Sequence, residues 1–184
     1  LVEPKILLPD NEACLRLPGI DGKAKMSKSL GNCIYLAEDP KDIKKKVMSM
    51  FTDPNHIRIE DPGSLEGNTV FTYLDAFCND QHFEEYLPDY KNLDELKEHY
   101  QRGGLGDVKV KKFLNNVLQE ELEPIRKRRE ELQKDIPYVY EVLKKGSEVA
   151  RETAAQTLHE VRDAMKINYF DDMELIRSQA KKYE

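Results

Sequence analysis

The sequence of 184 residues lacks the features of a membrane protein and of a disulfide-stabilised or zinc-binding protein. No apolar run approaches the roughly 20 residues that a helix needs to cross a bilayer. Its three cysteines are widely spaced and form no CxxC pair, so neither a disulfide framework nor a zinc site is predicted. We therefore expect a cytoplasmic protein in a reducing environment, without a bound metal ion and without a membrane partner.

A leader sequence and an initiator methionine are also missing from the first residues. The sequence begins Leu-Val-Glu-Pro-Lys, which has no basic region followed by an apolar one. This start is not typical of a signal peptide. We expect the chain to be a fragment or a processed form of a longer protein.

The sequence also lacks an excess of positive charge. Charged residues make up 35% of the sequence, but the formal net charge is −6. This balance argues against binding of nucleic acid through bulk positive charge, although it allows a local basic patch. The polar, charged composition favours a helix-rich protein.

The first 38 residues differ in pattern from the rest. Residues 4–9 and residues 13–17 are short apolar segments bounded by proline and turn residues, and we predict that both are strands. Two short strands do not form a stable sheet alone, so this part resembles the edge of an α/β unit. We predict a domain boundary after Asn32, which gives domains 1–38 and 39–184.

Residues 39–184 carry helical signals, and we predict a mainly α fold, a helical bundle that follows a short α/β remnant. Apolar residues recur at helical spacing, and Asp39, Asn68 or Thr69, and Asn92 are predicted helix caps. The predicted helices begin near Pro40, Thr69, Leu93, Asp107, Ser147 and Asp171, and Pro137 either ends the helix that starts at Asp107 or starts the next one.

Glycine and proline define the predicted ends of the later helices. Gly103 follows the helix that begins near Leu93, and Gly146 is a predicted C-cap. Pro124 lies inside the long apolar stripe that starts at Asp107, so we expect a kink or break there. Ser147 would then cap a further helix. Its predicted inward residues are Ala150, Ala154, Leu158, Val161 and Met165.

The segment with the clearest chemistry is a short cationic loop with the sequence KMSKSLGN at residues 25–32, which we call the lysine loop. Two lysines three positions apart, with hydroxyl groups between and after them, suit a polyphosphate ligand. Nearby glycines let a ligand approach the backbone closely. A solvated basic loop is the alternative interpretation of the same residues.

The lysine loop resembles the second signature motif of the class I aminoacyl-tRNA synthetases. The resemblance implies that Lys28, with Lys25, has a catalytic role in stabilising the departing pyrophosphate of ATP bound with Mg²⁺. It also implies contacts with ATP for Lys25, Met26, Ser27, Lys28 and Ser29. By its place before the loop, Leu17 corresponds to a position that holds adenine through backbone groups.

Sequence after the loop is similar to the tryptophanyl-tRNA synthetases over nearly the whole chain. The resemblance implies that residues 1–38 end a Rossmann-type catalytic domain and that residues 39–184 form a helical domain that binds tRNA(Trp). It also implies tryptophan and ATP as substrates and a homodimer for the full-length enzyme. The segments that carry the similarity include Thr52-Asp53-Pro54-Asn55, Asp61-Pro62-Gly63, Gly106-Asp107-Val108-Lys109 and Glu123-Pro124-Ile125-Arg126.

A basic cluster on the long helix is a predicted contact for the tRNA backbone. The alternative is a charged helix surface, because neighbouring glutamates stand at ion-pairing spacing. The predicted tRNA-binding residues are Lys109, Lys111, Lys112, Arg126 and Arg129.

Two motifs of the synthetase family are not found in this sequence. The HIGH motif and the element that shapes the amino-acid pocket both lie N-terminal to the lysine loop in that family. We therefore expect this chain alone to be inactive. Two other interpretations stay open, a tyrosyl-tRNA synthetase fragment and a non-catalytic helical module that binds RNA or protein.

Overall fold

The computed structural model describes residues 3–11 and 15–183, and helices dominate this part of the chain. The prediction of a mainly α fold is confirmed. The helices are α1 (Pro40–Met48), α2 (Thr69–Phe77), α3 (Asp80–Tyr86), α4 (Leu93–Arg102), α5 (Asp107–Gln133), α6 (Ile136–Met165) and α7 (Met173–Ala180).

The chain divides into two compact units, one that extends to Glu130 and one that starts at Glu131. The buried apolar core lies in the first unit, where α1, α2, α3, α4 and the first half of α5 contribute its side chains. This division separates compact parts of the chain and does not test the predicted boundary between the catalytic and helical domains. The domain boundary between residues 38 and 39 stays a prediction.

Three predicted N-caps are confirmed, and each is a short polar side chain that accepts a backbone N–H of the first helical turn. Asp39 caps α1, with Pro40 in the first turn, Asn68 caps α2, and Asn92 caps α4. Gly103 ends α4 with a φ of 90°, a conformation that favours glycine. These boundaries follow from local chemistry.

Of the kink or break predicted at Pro124, the break does not occur, because α5 runs without interruption from Asp107 to Gln133. Proline removes the hydrogen bond to the carbonyl four residues earlier, which here belongs to the exposed Glu120. Water can satisfy that carbonyl, so the helix continues. Only the first half of the predicted stripe is buried, and its buried members are Val110, Phe113, Leu114, Val117 and Leu118.

The predicted C-cap at Gly146 and N-cap at Ser147 are also wrong, since both residues lie inside α6. Gly146 does not have a positive φ, and the Ser147 hydroxyl donates to the Leu143 carbonyl at 2.8 Å. The helix ends instead at Lys166, in the left-handed conformation with a φ of 56°. Pro137 occupies the first turn of α6, which agrees with the second of its two predicted positions.

The predicted inward residues of this helix are not buried in the second unit. None of the residues described in α6 and α7 is buried. Leu158, Val161 and Met165 are 48%, 39% and 63% exposed. The apolar residues of α6 are therefore not covered by a core, unlike those in the first half of α5.

The strand predicted at residues 4–9 does not form, and part of the strand predicted at 13–17 lies outside the described residues. Among the described residues, strand-like pairing is limited to an isolated antiparallel bridge between Pro18 and Lys25. Helix α3 is the element that the sequence analysis missed. Asn79 and His82 form a reciprocal capping box at its start.

Candidate functional site

The lysine loop is closed at its base by the buried side chain of Asn32. The Asn32 Oδ1 accepts a hydrogen bond from the Ser27 backbone N–H at 2.9 Å. Its Nδ2 donates to Asp21 Oδ1 at 3.1 Å and to the Lys25 carbonyl at 3.4 Å. The Asn32 carbonyl accepts from the backbone N–H of Ile20 at 2.9 Å. One side chain therefore fixes the separation of the two ends of the loop.

Glycine permits this close approach. Gly19 is buried directly against the Asn32 side chain, where a Cβ would overlap it and would lie 2.8 Å from Asp21 Oδ1. At the far end, residues 28–31 form a turn in which the Gly31 N–H donates to the Lys28 carbonyl at 3.2 Å. Gly31 has a φ of 66°. The loop therefore depends on glycine for space at Gly19 and for conformation at Gly31.

The predicted ATP-contacting residues share the loop but not one cavity. Lys25, Lys28 and Ser29 are exposed, while Met26 and Ser27 are half-buried. Lys28 lines a cleft of about 780 Å³ together with Met26 and Ser27. Lys25 lines a separate, smaller cavity of about 260 Å³. Lys25 and Lys28 thus line different concave surfaces.

Two further hydrogen bonds hold the loop, one between two of its side chains and one between its backbone and that of Leu17. The hydroxyl groups of Ser27 and Ser29 are hydrogen-bonded at 2.9 Å. The carbonyl of the half-buried Leu17 accepts from the Met26 N–H at 3.2 Å. Leu17 therefore touches the loop through its backbone, although it is not among the residues that line the large cleft.

The large cleft also includes residues from after the loop and from α5. Residues 33–38 form one wall, and Ile125 and Arg129 of α5 contribute to the lining. Arg129 is exposed, so its guanidinium adds a second cation to the cleft that Lys28 lines. Arg126 differs, because its guanidinium donates to Gln119 Oε1 of the same helix at 3.0 Å.

A second cleft, of about 610 Å³, lies where the segment after α1 meets the start of α5. Its basic residues are Arg58, Lys109 and Lys112, and His56 and His99 also line it. The N-terminal residues of α5 form part of the wall. The basic side chains favour a negatively charged ligand, whereas the Asp107 carboxylate in the first turn of α5 opposes one at that end of the cleft.

A buried polar network supports this second cleft. The Asp107 carboxylate accepts hydrogen bonds from the Tyr100 hydroxyl at 2.7 Å and the Thr52 hydroxyl at 3.0 Å, and it lies 3.2 Å from His56 Nδ1. The Tyr100 hydroxyl in turn accepts from Asn68 Nδ2 at 3.2 Å. Burial, followed by the Asp107 carboxylate, raises the pKa of Tyr100 above its usual value.

His56 is the unusual member of the network. Its side chain is only 2% exposed, and the ring packs edge-on against Tyr100 at 4.8 Å. Its Nε2 atom is buried without a hydrogen-bond partner among the described residues. A buried ring nitrogen without a partner is unusual, because most buried polar atoms are hydrogen-bonded.

The predicted tRNA-binding lysines have different surroundings. Lys109 donates to Asp89 Oδ2 at 2.9 Å and lies over the Tyr90 ring, and the hydrogen bond to Asp89 raises its pKa. Lys112 is exposed. Lys111 is half-buried and donates to the Met48 carbonyl at 3.3 Å, and burial lowers its pKa. The contribution of each lysine to tRNA binding stays a prediction.

The described residues 3–11 and 15–183 contain no group of three or more His, Cys, Asp or Glu side chains placed to hold a metal ion. No helix in the same ranges is long and apolar enough to cross a membrane. His159 is exposed, and its Nε2 lies 3.2 Å from Asp163 Oδ2. The sequence analysis did not identify Asn32, His56 and Asp107 as organising residues. Asn32 lies in the loop motif and Asp107 in a segment similar to the tryptophanyl-tRNA synthetases, whereas no sequence signal pointed to His56.

The sequence profile of the family described as "tRNA synthetases class I (W and Y)" matches residues 1–123. The chain belongs to this family of class I tRNA synthetases. The matched range contains the lysine loop, the polar network and the first half of α5. The resemblance inferred from the loop motif is therefore confirmed.

Curated members of the synthetase family are similar to this chain over most of its length. The tryptophan–tRNA ligase of Clostridium longisporum is 63% identical over 173 residues, which is 94% of this chain and 48% of that protein. The tryptophan–tRNA ligase of Streptococcus agalactiae is 57% identical over 170 residues, 92% of this chain and 48% of that protein. The chain thus spans about half the length of the curated relatives it matches.

Solved synthetase structures have a similar fold. The tryptophanyl-tRNA synthetase of Campylobacter jejuni in complex with ADP and tryptophan superposes with a TM-score of 0.64 at 27% identity. That match covers 82% of this chain and 43% of the other. A second structure from the same organism gives a TM-score of 0.62 at 28% identity, with 80% and 44% coverage.

Proposed function

We propose that this chain is the C-terminal part of a tryptophan–tRNA ligase. The full-length enzyme would activate tryptophan with Mg²⁺-bound ATP and transfer it to the 3′ end of tRNA(Trp). Identity of 57–63% to proteins of that name supports tryptophan over tyrosine. We further infer a homodimeric, cytoplasmic enzyme from the same kinship.

The observation that carries this proposal is the position of Lys28. It lies in a glycine-containing turn whose base is fixed by Asn32, and it lines a cleft of about 780 Å³. Catalysis of phosphoryl chemistry depends mainly on positioning and charge stabilisation. The Lys28 ammonium would stabilise negative charge on the β- and γ-phosphates as pyrophosphate leaves. Its partners in binding ATP would be Leu17, Lys25, Met26, Ser27 and Ser29.

The test is ATP–pyrophosphate exchange in the full-length enzyme that carries Lys28→Ala. Loss of one stabilising contact of this type typically lowers the rate about 10²- to 10³-fold. We expect that loss with little change in tryptophan affinity. Lys44→Ala, which removes an exposed lysine of α1, is the control and should leave exchange unchanged. An unchanged rate in Lys28→Ala would remove the role proposed for Lys28.

We propose that the second cleft contacts an unpaired region of tRNA. Its lining includes Arg58, Lys109 and Lys112, and these basic side chains suit the phosphates of an unpaired strand. Lys112 is exposed in this cleft and can be changed without disturbing the buried network. Lys112→Gln should raise KM for tRNA while leaving ATP–pyrophosphate exchange unchanged. Equal KM values for tRNA in Lys112→Gln and the unaltered enzyme would contradict a tRNA contact at this cleft.

The 184-residue chain alone should not form an aminoacyl adenylate, because two motifs that the family places before the lysine loop are not in its sequence. An assay of adenylate formation with the purified chain tests this point. Robust activity would mean that adenylate formation does not require those two motifs. Retention of tRNA binding without adenylate formation would favour a separate RNA-binding role for this chain.

A further inference from the structure

One lysine of α1 holds the segment that follows the lysine loop. The Lys46 ammonium donates to the Cys33 carbonyl at 2.8 Å and pairs with the Glu38 carboxylate. It also lies 5.0 Å from the centre of the Tyr35 ring, as in a cation–π contact. A single cation therefore touches the beginning, middle and end of residues 33–38, which we call the exit arm.

Glu38 completes this arrangement. Its Oε2 accepts a hydrogen bond from the Tyr35 backbone N–H at 3.1 Å, while its Oε1 faces Lys46. The carboxylate thus binds the lysine and also closes a turn of the exit arm. If the lysine charge is removed, the carboxylate loses its partner and the Cys33 carbonyl loses its donor.

Burial distinguishes this ion pair from a neighbouring one on the same helix. The side chains of Lys46 and Glu38 are 23% and 13% exposed. The side chains of Lys45 and Asp42, which form an ion pair three residues apart, are 78% and 52% exposed. Exposed pairs contribute little to structure, whereas loss of one member of a shielded pair is felt strongly. Lys45 is therefore a matched control for Lys46.

The exit arm connects Lys46 to the candidate active site. It starts directly after Asn32, which closes the base of the loop, and residues 33–38 line the same cleft as Lys28. We propose that Lys46 is a positioning residue, which holds the exit arm in place so that the Lys28 side chain stays directed towards that cleft. The role in catalysis rests on the function proposed above, whereas the structural role does not.

The structural role is tested in the 184-residue chain by hydrogen–deuterium exchange. Lys46→Met should increase exchange of amides in residues 27–38 about tenfold, as expected for loss of roughly one charged hydrogen bond. Lys46→Arg should retain slow exchange, because a guanidinium can still donate to both oxygens. Lys45→Met should match the unaltered chain. Unchanged exchange in Lys46→Met would overturn the proposal.

The catalytic role is tested by ATP–pyrophosphate exchange in the full-length enzyme. Lys46→Met should lower kcat while KM for tryptophan is unchanged, and Lys46→Arg should recover most of the rate. Increased amide exchange with an unchanged kcat would overturn the positioning role. A full rate in Lys28→Ala would instead contradict the proposed function, so the two failures are distinguishable.

Discussion

The Nδ2 atom of Asn32 donates a hydrogen bond to the Asp21 carboxylate at 3.1 Å, across 11 residues of chain. The same amide group accepts from the Ser27 backbone N–H. The base of the lysine loop is therefore held by one buried side chain with bonds to both flanks.

Replacement of Asn32 should loosen the loop and destabilise the fold. Asn32→Ala removes these bonds and should lower the free energy of unfolding by about 1–3 kcal/mol. Asn32→Asp places a second carboxylate beside Asp21 and should be no better tolerated. Urea denaturation measures both variants. Gln101→Ala, at an exposed site on α4, is the control and should change stability by less than about 0.5 kcal/mol.

A methyl group at Gly19 should be destabilising for a steric reason. Its Cβ would overlap the Asn32 side chain and approach Asp21 Oδ1 to 2.8 Å. We expect Gly19→Ala to lower the free energy of unfolding by about 1–3 kcal/mol, as for other overpacked sites. Pairing it with Asn32→Ala provides the check, because the smaller neighbour should relieve most of the overlap. Full additivity of the two effects would contradict this explanation.

Gly146→Ala should stabilise the protein, in contrast to Gly19→Ala. Gly146 lies inside α6 without a positive φ, and beyond its chain neighbours and the nearby backbone of its own helix no atom lies within 4 Å of an added Cβ. Alanine should therefore favour the helix by about 0.5–1 kcal/mol. Thermal denaturation followed by circular dichroism measures the change. A destabilised variant would mean that Gly146 ends a helix, as its sequence context predicts.

Removal of the Tyr100 hydroxyl should disrupt the network beneath the second cleft. This hydroxyl donates to Asp107 and accepts from Asn68, and Tyr100 is fully buried. Tyr100→Phe should lower the free energy of unfolding by about 1–3 kcal/mol, because polar groups lose their partner. Tyr140→Phe is the control, since Tyr140 is 70% exposed. Equal stability of the two variants in urea would contradict the assigned network.

Asp53 should make stability depend on acidity. Backbone N–H groups of Asn55 and Ser64, each 2.8 Å from its carboxylate, hold the pKa of Asp53 below its usual value. The stabilisation is present above that usual value of about 3.9, and it is lost as the pH falls through the lower pKa of the folded state.

The comparison is urea unfolding of the unaltered chain and of Asp53→Asn at about pH 6 and about pH 3. The unaltered chain should lose more stability between the two conditions than Asp53→Asn does. Asp171→Asn, which changes an exposed carboxylate, should behave like the unaltered chain. Equal pH dependence in all three proteins would contradict the role of Asp53.

Three helix starts in this chain were predictable because they depend on neighbouring residues. Asp39, Asn68 and Asn92 each accept an N–H from two or three residues later, and this pattern is visible in the sequence. The end predicted at Gly146 failed because a C-cap requires a left-handed φ. Glycine permits that conformation but does not impose it, and α6 continues through the site.

The candidate site was predictable only in part. The loop motif identified Lys25, Lys28 and their neighbours as a group. The role of His56 depends on Tyr100 and Asp107, 44 and 51 positions away, and such contacts leave no periodic pattern. Lys46 was one of three consecutive lysines, and only the folded exit arm distinguishes it from Lys44 and Lys45.

The separation of Lys25 and Lys28 between two cavities has an energetic consequence. Both side chains are exposed, and they line different cavities. An anion that engages both must order at least one long side chain, and the conformational entropy lost in doing so lowers the affinity below what the two charges alone suggest.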